Sequence, residues 1–244
     1  MLKRIEPKSL SIIQNEWDSI CGNRQAVIDS GNDISLLAVT APCIIEELGS
    51  DRVESILDVG CGTGYLTSLL ATHTSRCVGI DASRNSITVA KSRYEKSGAK
   101  FEVSSIGDFK SNLQFDICVA NMVFSSDPDW LNSIRAIHTL LCEDGKLLVM
   151  LPHPCNWPKY WGFQNSTWFN CNEEVYIEHD FTVSLAKSLG KATYIHRPLS
   201  LYISKICSVG FALEKMKEPY PVGELPDKYN YDFPRFLFMK FIKR

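Results

Sequence analysis

Little in this chain leans to one sign of charge: 26 lysines and arginines face 28 aspartates and glutamates, a formal net charge of -2. Such a balance offers no electrostatic footprint for a phosphate backbone, so nucleic acid is not an expected partner. Paired cysteines are missing as well. The nine cysteines are an odd count, and none stands in a C-x-x-C pair or in a cluster with histidines. That pattern argues against a disulfide scaffold and a structural zinc, so no metal site is expected. Free thiols suit a reducing compartment. No stretch approaches the roughly 18 uncharged apolar residues of a membrane span, and the opening segment MLKRIEPKSLSIIQNEW has no long apolar core. The expectation is a soluble, cytoplasmic protein with no membrane partner. Internal repeats, low-complexity tracts and long charge runs are also missing.

What is there is enough chain for one substantial core. The 244 residues read as a single domain, 1–244, in four parts: an N-terminal helical cap (1–50), a core (51–151), an insertion (152–197) and a closing helix with strands (198–244). Periodic apolar positions broken by the turn DSGND predict a few short helices in the cap. Short apolar runs at 53–59, 76–81, 101–104, 115–120 and 146–151 then alternate with amphipathic stretches, the pattern of βαβ units and a parallel sheet. Ser83 is placed to cap a helix carrying Ile87, Ala90 and Tyr94 on one face, and Gly98 ends it. Asp127-Pro128-Asp129 predicts the next helix start, with Asp127 as cap and Pro128 at the first helical position, ahead of Trp130, Ile134, Ile137 and Leu141. A further helix is expected from Pro198 to Gly210, followed by strands at 211–216 and 236–242.

The first apolar run ends in ILDVGCGTGYLT, where Asp58 is followed by Gly60, Gly62 and Gly64 in the order D-x-G-x-G-x-G. Glycines at the end of a buried strand let the chain turn sharply and bring backbone N–H groups against a ligand. The dinucleotide fingerprint is G-x-G-x-x-G, and Tyr65 stands where its third glycine would fall. This segment resembles the first motif of the class I S-adenosylmethionine-dependent methyltransferases, and the likeness continues at three more strand ends: CVGIDAS, SSIGDF and FDICVANMVF.

The resemblance implies an α/β fold, a Rossmann-like, mostly parallel seven-stranded sheet with helices on both faces and the last strand antiparallel, plus the N-terminal cap and an insertion after the fifth strand. It also implies S-adenosylmethionine as cofactor and S-adenosylhomocysteine as product. Asp58, Gly60, Cys61 and Gly62 would form the glycine turn, with Cys61 only a small residue tolerated there. Asp81 would accept the ribose hydroxyls and Ala82 would touch the adenine. Gly107 and Asp108 would hold the adenine amino group, with Phe109 flanking the ring. Asn121 and Met122 would lie beside the methionine half. Read singly, Asp81 is equally a helix N-terminal acid, Asp108 a turn former and Asn121 a strand-end cap. Taken together they fall after four successive strands, and an open parallel sheet gathers such positions at one edge.

The insertion opens with PHPCNWPKYWGFQNSTWFN and continues into two β-like pieces at 175–181 and 193–196. It reads either as a lid or as a cover over a sheet edge. Trp157, Tyr160, Trp161, Trp168 and Phe169 could line a pocket for an aromatic or apolar acceptor, or form a buried cluster. His153 is the candidate general base, with a loop histidine bonded to backbone as the alternative; His196 reads as a structural cap. Nothing singles out His73, His138 or His179. The implied reaction is in-line methyl transfer to O, N or C of a small-molecule metabolite. A nicotinamide-dependent oxidoreductase and a non-catalytic S-adenosylmethionine-binding module stay open beside it. Methylation of base amines is disfavoured, because its N/D-P-P-Y/F pattern is replaced here by Asn121-Met-Val-Phe124.

Overall fold

A computed structural model describes residues 2–49, 53–184, 187–224, 229 and 232–244. The cap-to-core boundary expected at 50–51 lies outside the described residues. In chain order the elements are β1 (Lys3–Arg4), α1 (Leu10–Asp29), a π-helical turn (Ser35–Thr40), α2 (Ala41–Leu48), β2 (Val53–Val59), α3 (Tyr65–Leu70), β3 (Thr74–Asp81), α4 (Arg84–Tyr94), β4 (Lys100–Val103), β5 (Phe115–Asn121), α5 (Trp130–Leu140), β6 (Leu141–Pro152), α6 (Trp157–Tyr160), β7 (Val175–Asp180), β8 (Lys191–His196), α7 (Leu199–Ser208), β9 (Phe211–Lys217) and β10 (Phe236–Lys243).

Seven strands form one sheet in the order β4-β3-β2-β5-β6-β10-β9. The pairs β2–β3, β2–β5, β3–β4 and β5–β6 are parallel, and β10 runs antiparallel to both β6 and β9. Alternation along the strands explains why helices cover both faces. Leu57, Val59, Cys118, Ala120, Leu147 and Val149 pack with Trp130, Ile134 and Ile137 of α5 and with Tyr202 and Ile206 of α7. The residues between them, Ile56, Ile117, Val119, Leu148 and Met150, pack with Ile44 of α2 and Leu66 and Leu70 of α3. Period-two side chains buried on both sides are what a central parallel strand requires.

Two local expectations are corrected and a third is extended. The cap is dominated by one 20-residue helix, α1, rather than by several short ones, with the expected turn following it at Gly31 (φ 73°). Helix α5 starts at Trp130, two residues beyond Pro128: the Asp127 carboxylate accepts the Asp129 N–H at 2.8 Å and the Ser133 hydroxyl, closing the turn before the helix. The two β-like pieces of the insertion pair with each other antiparallel, and β7 also pairs with β1, giving a separate three-stranded sheet in the order β1-β7-β8. That sheet is pinned to the loop after β5, because Ile195 N–H donates to Ser125 O at 2.7 Å. Among the described residues no helix is long and apolar enough to cross a membrane, and no group of three His, Cys, Asp or Glu side chains could hold a metal ion.

Candidate functional site

The strand order turns back at β2, whose neighbours β3 and β5 lie on opposite sides, so a crevice opens at its carboxyl end. The glycine turn sits there. Gly60 has φ 66° and Gly62 φ 54°, both in the left-handed region. A Cβ at Gly60 would stand 2.5 Å from Val123 Cγ2, whereas one at Gly62 would meet nothing within 4 Å. Gly60 is therefore required by packing against the loop after β5, and Gly62 by its own backbone.

Asp58 lies beneath the turn, 1% exposed, and accepts the Thr67 hydroxyl at 2.6 Å; burial pushes its carboxyl up to about 7. At the end of β3, Asp81 accepts the Gly62 N–H through Oδ2 and the Ser83 N–H through Oδ1, each at 2.8 Å. Burial raises its carboxyl above the usual range, while the two N–H groups pull it back toward the charged form. Cys61 lines the same space, and burial together with the Asp81 and Asp58 charges holds its thiol protonated.

Beyond β4, Ser104 N–H donates to Asp81 O at 3.0 Å, and Ser105 Oγ donates to Asp108 at 2.6 Å. Gly107 and Asp108 reach the cavity wall with Ile106 between these residues and Ser105. Phe109 does not: its ring is 7% exposed and packs against Phe115 at a centroid distance of 6.4 Å, so Ile106 and not Phe109 is the apolar side chain of this loop at the cavity wall. Beyond β5, Asn121 and Met122 line the cavity, and Met122 holds φ 64° while donating its N–H to Met150 O at 2.8 Å. The Asn121 Oδ1 is buried with no hydrogen-bond partner among the described residues. An orphaned acceptor of this kind calls for a donor from a ligand.

These strand ends, with Ala82, bound one cavity of about 670 Å³. Its other walls come from the cap and the insertion. Helix α1 presents Ile13, Trp17, Cys21, Arg24 and Ile28 to it, one face repeating every three or four residues. The helix is tied to the β3 end: Gln14 Nε2 donates to Ala82 O, and Asp18 accepts from the Ser83 hydroxyl and from Asn85 N–H. Arg24 pairs with the buried Asp33 at 2.9 Å and lies over the Phe181 ring at 5.6 Å.

From the insertion, Trp157 and Trp161 line the cavity with His179, Phe181 and Tyr194. Trp168 and Phe169 pack instead on Phe163 at 5.7 and 4.9 Å, and Tyr160 is exposed beneath Arg235. The insertion is thus part of the wall, and its aromatics divide between cavity and core.

His153 lies outside the cavity lining. Its Nδ1 accepts the Cys155 and Asn156 N–H groups at 3.2 and 3.3 Å, and its Nε2 faces Glu218 Oε1 at 2.8 Å. Both nitrogens are engaged, so no lone pair is left for a substrate proton, and the ring anchors the β6–α6 loop. His196 donates its Nε2–H to Cys171 O at 3.2 Å, and burial lowers its pKa. The charged residue that sequence reading missed most completely is Arg197, which is 0% exposed. It donates to Glu174 Oε2, Phe124 O and Asp127 O and carries no motif. The α1 residues had one legible sign, polar Gln14 and Arg24 set within an apolar helical stripe.

A family model described as a methyltransferase domain matches residues 50–188. Among curated proteins, the malonyl-[acyl-carrier protein] O-methyltransferase of Acetivibrio thermocellus is 33% identical over 103 residues, 41% of this chain and 36% of that protein. The ubiquinone biosynthesis O-methyltransferase of Actinobacillus pleuropneumoniae serotype 7 is 31% identical over 102 residues, 38% of this chain and 44% of that protein. The chain therefore spans less than half the length of either relative. Among solved structures, the 1,6-didemethyltoxoflavin-N1-methyltransferase of Burkholderia thailandensis, with bound 1,6-didemethyltoxoflavin and S-adenosylhomocysteine, superposes with a TM-score of 0.64. The match covers 99% of this chain and 94% of that one at 13% identity, a likeness of fold.

Proposed function

The chain belongs to the methyltransferase-domain family, and from that premise we propose that it transfers the methyl group of S-adenosylmethionine to a small-molecule acceptor, leaving S-adenosylhomocysteine. The observation that carries this reading is the convergence of Gly60, Gly62, Asp81, Asp108 and Asn121 from four strand ends on one cavity.

The residues suit the cofactor. Asp81 keeps acceptor capacity on its carboxylate for the ribose hydroxyls, Ile106 offers an apolar flank for the adenine, and Asp108 an acceptor for its amino group. The unpartnered Asn121 Oδ1 suits the ammonium of the methionine half. When bound, the sulfonium supplies an electrophilic methyl. The chain's own work is then to orient the acceptor for in-line attack and to exclude water, which the aromatic walls of α1 and the insertion favour. The names of the two curated relatives, both O-methyltransferases, agree with an oxygen acceptor.

Isothermal calorimetry with S-adenosylhomocysteine tests the reading. Saturable binding is expected, and its absence at high micromolar ligand rejects it. Asp81→Ala should weaken that binding by about 1.5–3 kcal/mol, the loss of hydrogen bonds to a charged acceptor; an unchanged affinity would remove the ribose assignment.

A further inference from the structure

His179 stands on β7 and lines the cavity. Its Nδ1–H donates to the Asp180 carbonyl at 3.2 Å, which fixes the tautomer and leaves the lone pair on Nε2. Among the described residues nothing hydrogen-bonds that Nε2, and it is not a sealed buried atom. The ring packs on Trp161 at a centroid distance of 4.2 Å, which locks its orientation. Burial also keeps it neutral, lowering its pKa to about 4.

The surrounding wall has a consistent chemistry. Trp17, Trp161, Phe181 and Tyr194 offer flat apolar faces, and the charged pair nearby, Arg24 with Asp33, neutralises itself at 2.9 Å. A planar uncharged ring fits such a wall better than a carboxylate, because Arg24, the one lysine or arginine among the described lining residues, is already paired with Asp33.

Resting on the methyl-donor reading above, we propose that His179 is the proton acceptor of the reaction and that the acceptor substrate is a hydroxyl on a neutral, planar aromatic ring. The hydroxyl oxygen forms its bond to the methyl carbon as the carbon–sulfur bond breaks, and that bond's electron pair stays on sulfur. The hydroxyl proton passes to His179 Nε2, so aryl alcohol and neutral imidazole become aryl methyl ether and imidazolium, which releases its proton to water. The oxygen preference follows from acidity. An oxygen carrying both methyl and proton is a far stronger acid than an imidazolium, so a weakly basic histidine can accept from it. An arylamine needs no such acceptor, because its neutral nitrogen attacks through its lone pair and the resulting arylammonium, itself as acidic as an imidazolium, gives its proton to water.

Naphthol, naphthylamine and methoxynaphthalene serve as matched probes. With deuterated-methyl S-adenosylmethionine, mass spectrometry should find label on naphthol, and any label on naphthylamine should form at a rate that does not depend on His179. Calorimetry without cofactor should show naphthol binding about five- to tenfold tighter than methoxynaphthalene, the effect of one hydrogen bond donated to Nε2. His179→Asn keeps a donor for Asp180 O in its Nδ2 and removes the basic nitrogen at the Nε2 position, which the short Asn Oδ1 does not reach. It should erase that affinity difference and slow naphthol methylation by about 10²- to 10⁴-fold, as for loss of a general base, with S-adenosylhomocysteine binding retained. Slowing of naphthylamine labelling as large as that of naphthol in the variant, no label on naphthol, equal wild-type affinity for naphthol and its ether, or a variant as fast as wild type overturns the proposal. Failure of S-adenosylhomocysteine to bind strikes the methyl-donor reading instead, and the cofactor-free comparison still reads His179.

Discussion

Gly60 meets two demands at once, and substitutions can separate them. Its φ of 66° is unfavourable for any L side chain, and a Cβ there would press on Val123 Cγ2 at 2.5 Å. Gly60→Ala should therefore lose stability on both counts, about 1–2 kcal/mol for the left-handed backbone plus an overpacking cost. In a Val123→Ala background the nearest remaining Val123 atom would be Cβ, at 3.4 Å, an ordinary contact. Urea unfolding of the four-member cycle should show Gly60→Ala costing less in that background; additive losses would mean the clash is absorbed elsewhere. Two titrating residues in the site pull in opposite directions with pH. Asp58 rises from 3.8 to about 7 in the fold, so across that interval the native chain holds a proton the unfolded one has released, and stability falls as pH rises. His179 drops from 6.5 to about 4 through burial, against the opposing pull of Asp180 and Glu178 and aided by Lys191. There the unfolded chain holds the extra proton, and stability falls as pH falls from 6.5 toward 4. Melting curves over this range should thus show Asp58→Asn, which still accepts from Thr67, removing a decline toward neutral pH. His179→Asn should remove a decline toward acid. The same sign of change in both variants would contradict the burial argument.

Elements here are joined less by their ends than by one buried cation. Arg197, at the junction of β8 and α7, donates to Phe124 O and Asp127 O in the loop that leads into α5, and its guanidinium lies 5.1 Å from the Trp130 ring centroid. Its carboxylate partner Glu174 is 38% exposed. Arg197→Met strands two carbonyls and should cost about 3–5 kcal/mol in urea unfolding, the scale of breaking a buried charged network. Glu174→Gln, at a half-solvated position, should stay within about 1 kcal/mol. Equal losses would place the stabilisation in the ion pair instead of the carbonyl clamp. At this scale the sequence was legible where one periodicity ruled. Strands β2, β3 and β5 were marked by apolar runs because both their faces are covered, and Ser83 was marked as a cap by its position, where it accepts the Ser86 N–H at 3.0 Å. The start of α5 was misread because Asp127-Pro128-Asp129 satisfies the rules for a helix start and for a tight turn alike, and the Asp127 bond to Ser133 decides for the turn. Arg197 left no trace, since what it binds is backbone from distant loops.

For the molecule as a whole, the side of the cavity built by the strand ends was legible and the side built by α1 and the insertion was not, for a physical reason. The glycine turn, Asp81, Asp108 and Asn121 each follow a strand, so the topology alone carries them to one edge. Trp17, Arg24 and His179 reach the cavity only because β7 pairs with β1, Thr193 Oγ1 donates to Glu16 at 3.1 Å, and Trp17 meets Phe181 at 5.0 Å. Those are contacts between residues more than 150 positions apart, which no local pattern announces. The same contacts make the cap responsive to the cofactor edge. Gln14 and Asp18 grip Ala82, Ser83 and Asn85, the segment that also holds Asp81 against the Gly62 N–H. A ligand that fixes Asp81 therefore fixes the far end of those bonds, and local opening of α1 should become rarer. Hydrogen–deuterium exchange with and without S-adenosylhomocysteine should show slowing at residues 10–29 as well as at 60–64. Asp18→Ala should keep the second protection and lose most of the first. Protection confined to 60–64 in the unsubstituted chain would mean that the cap opens independently of the sheet edge.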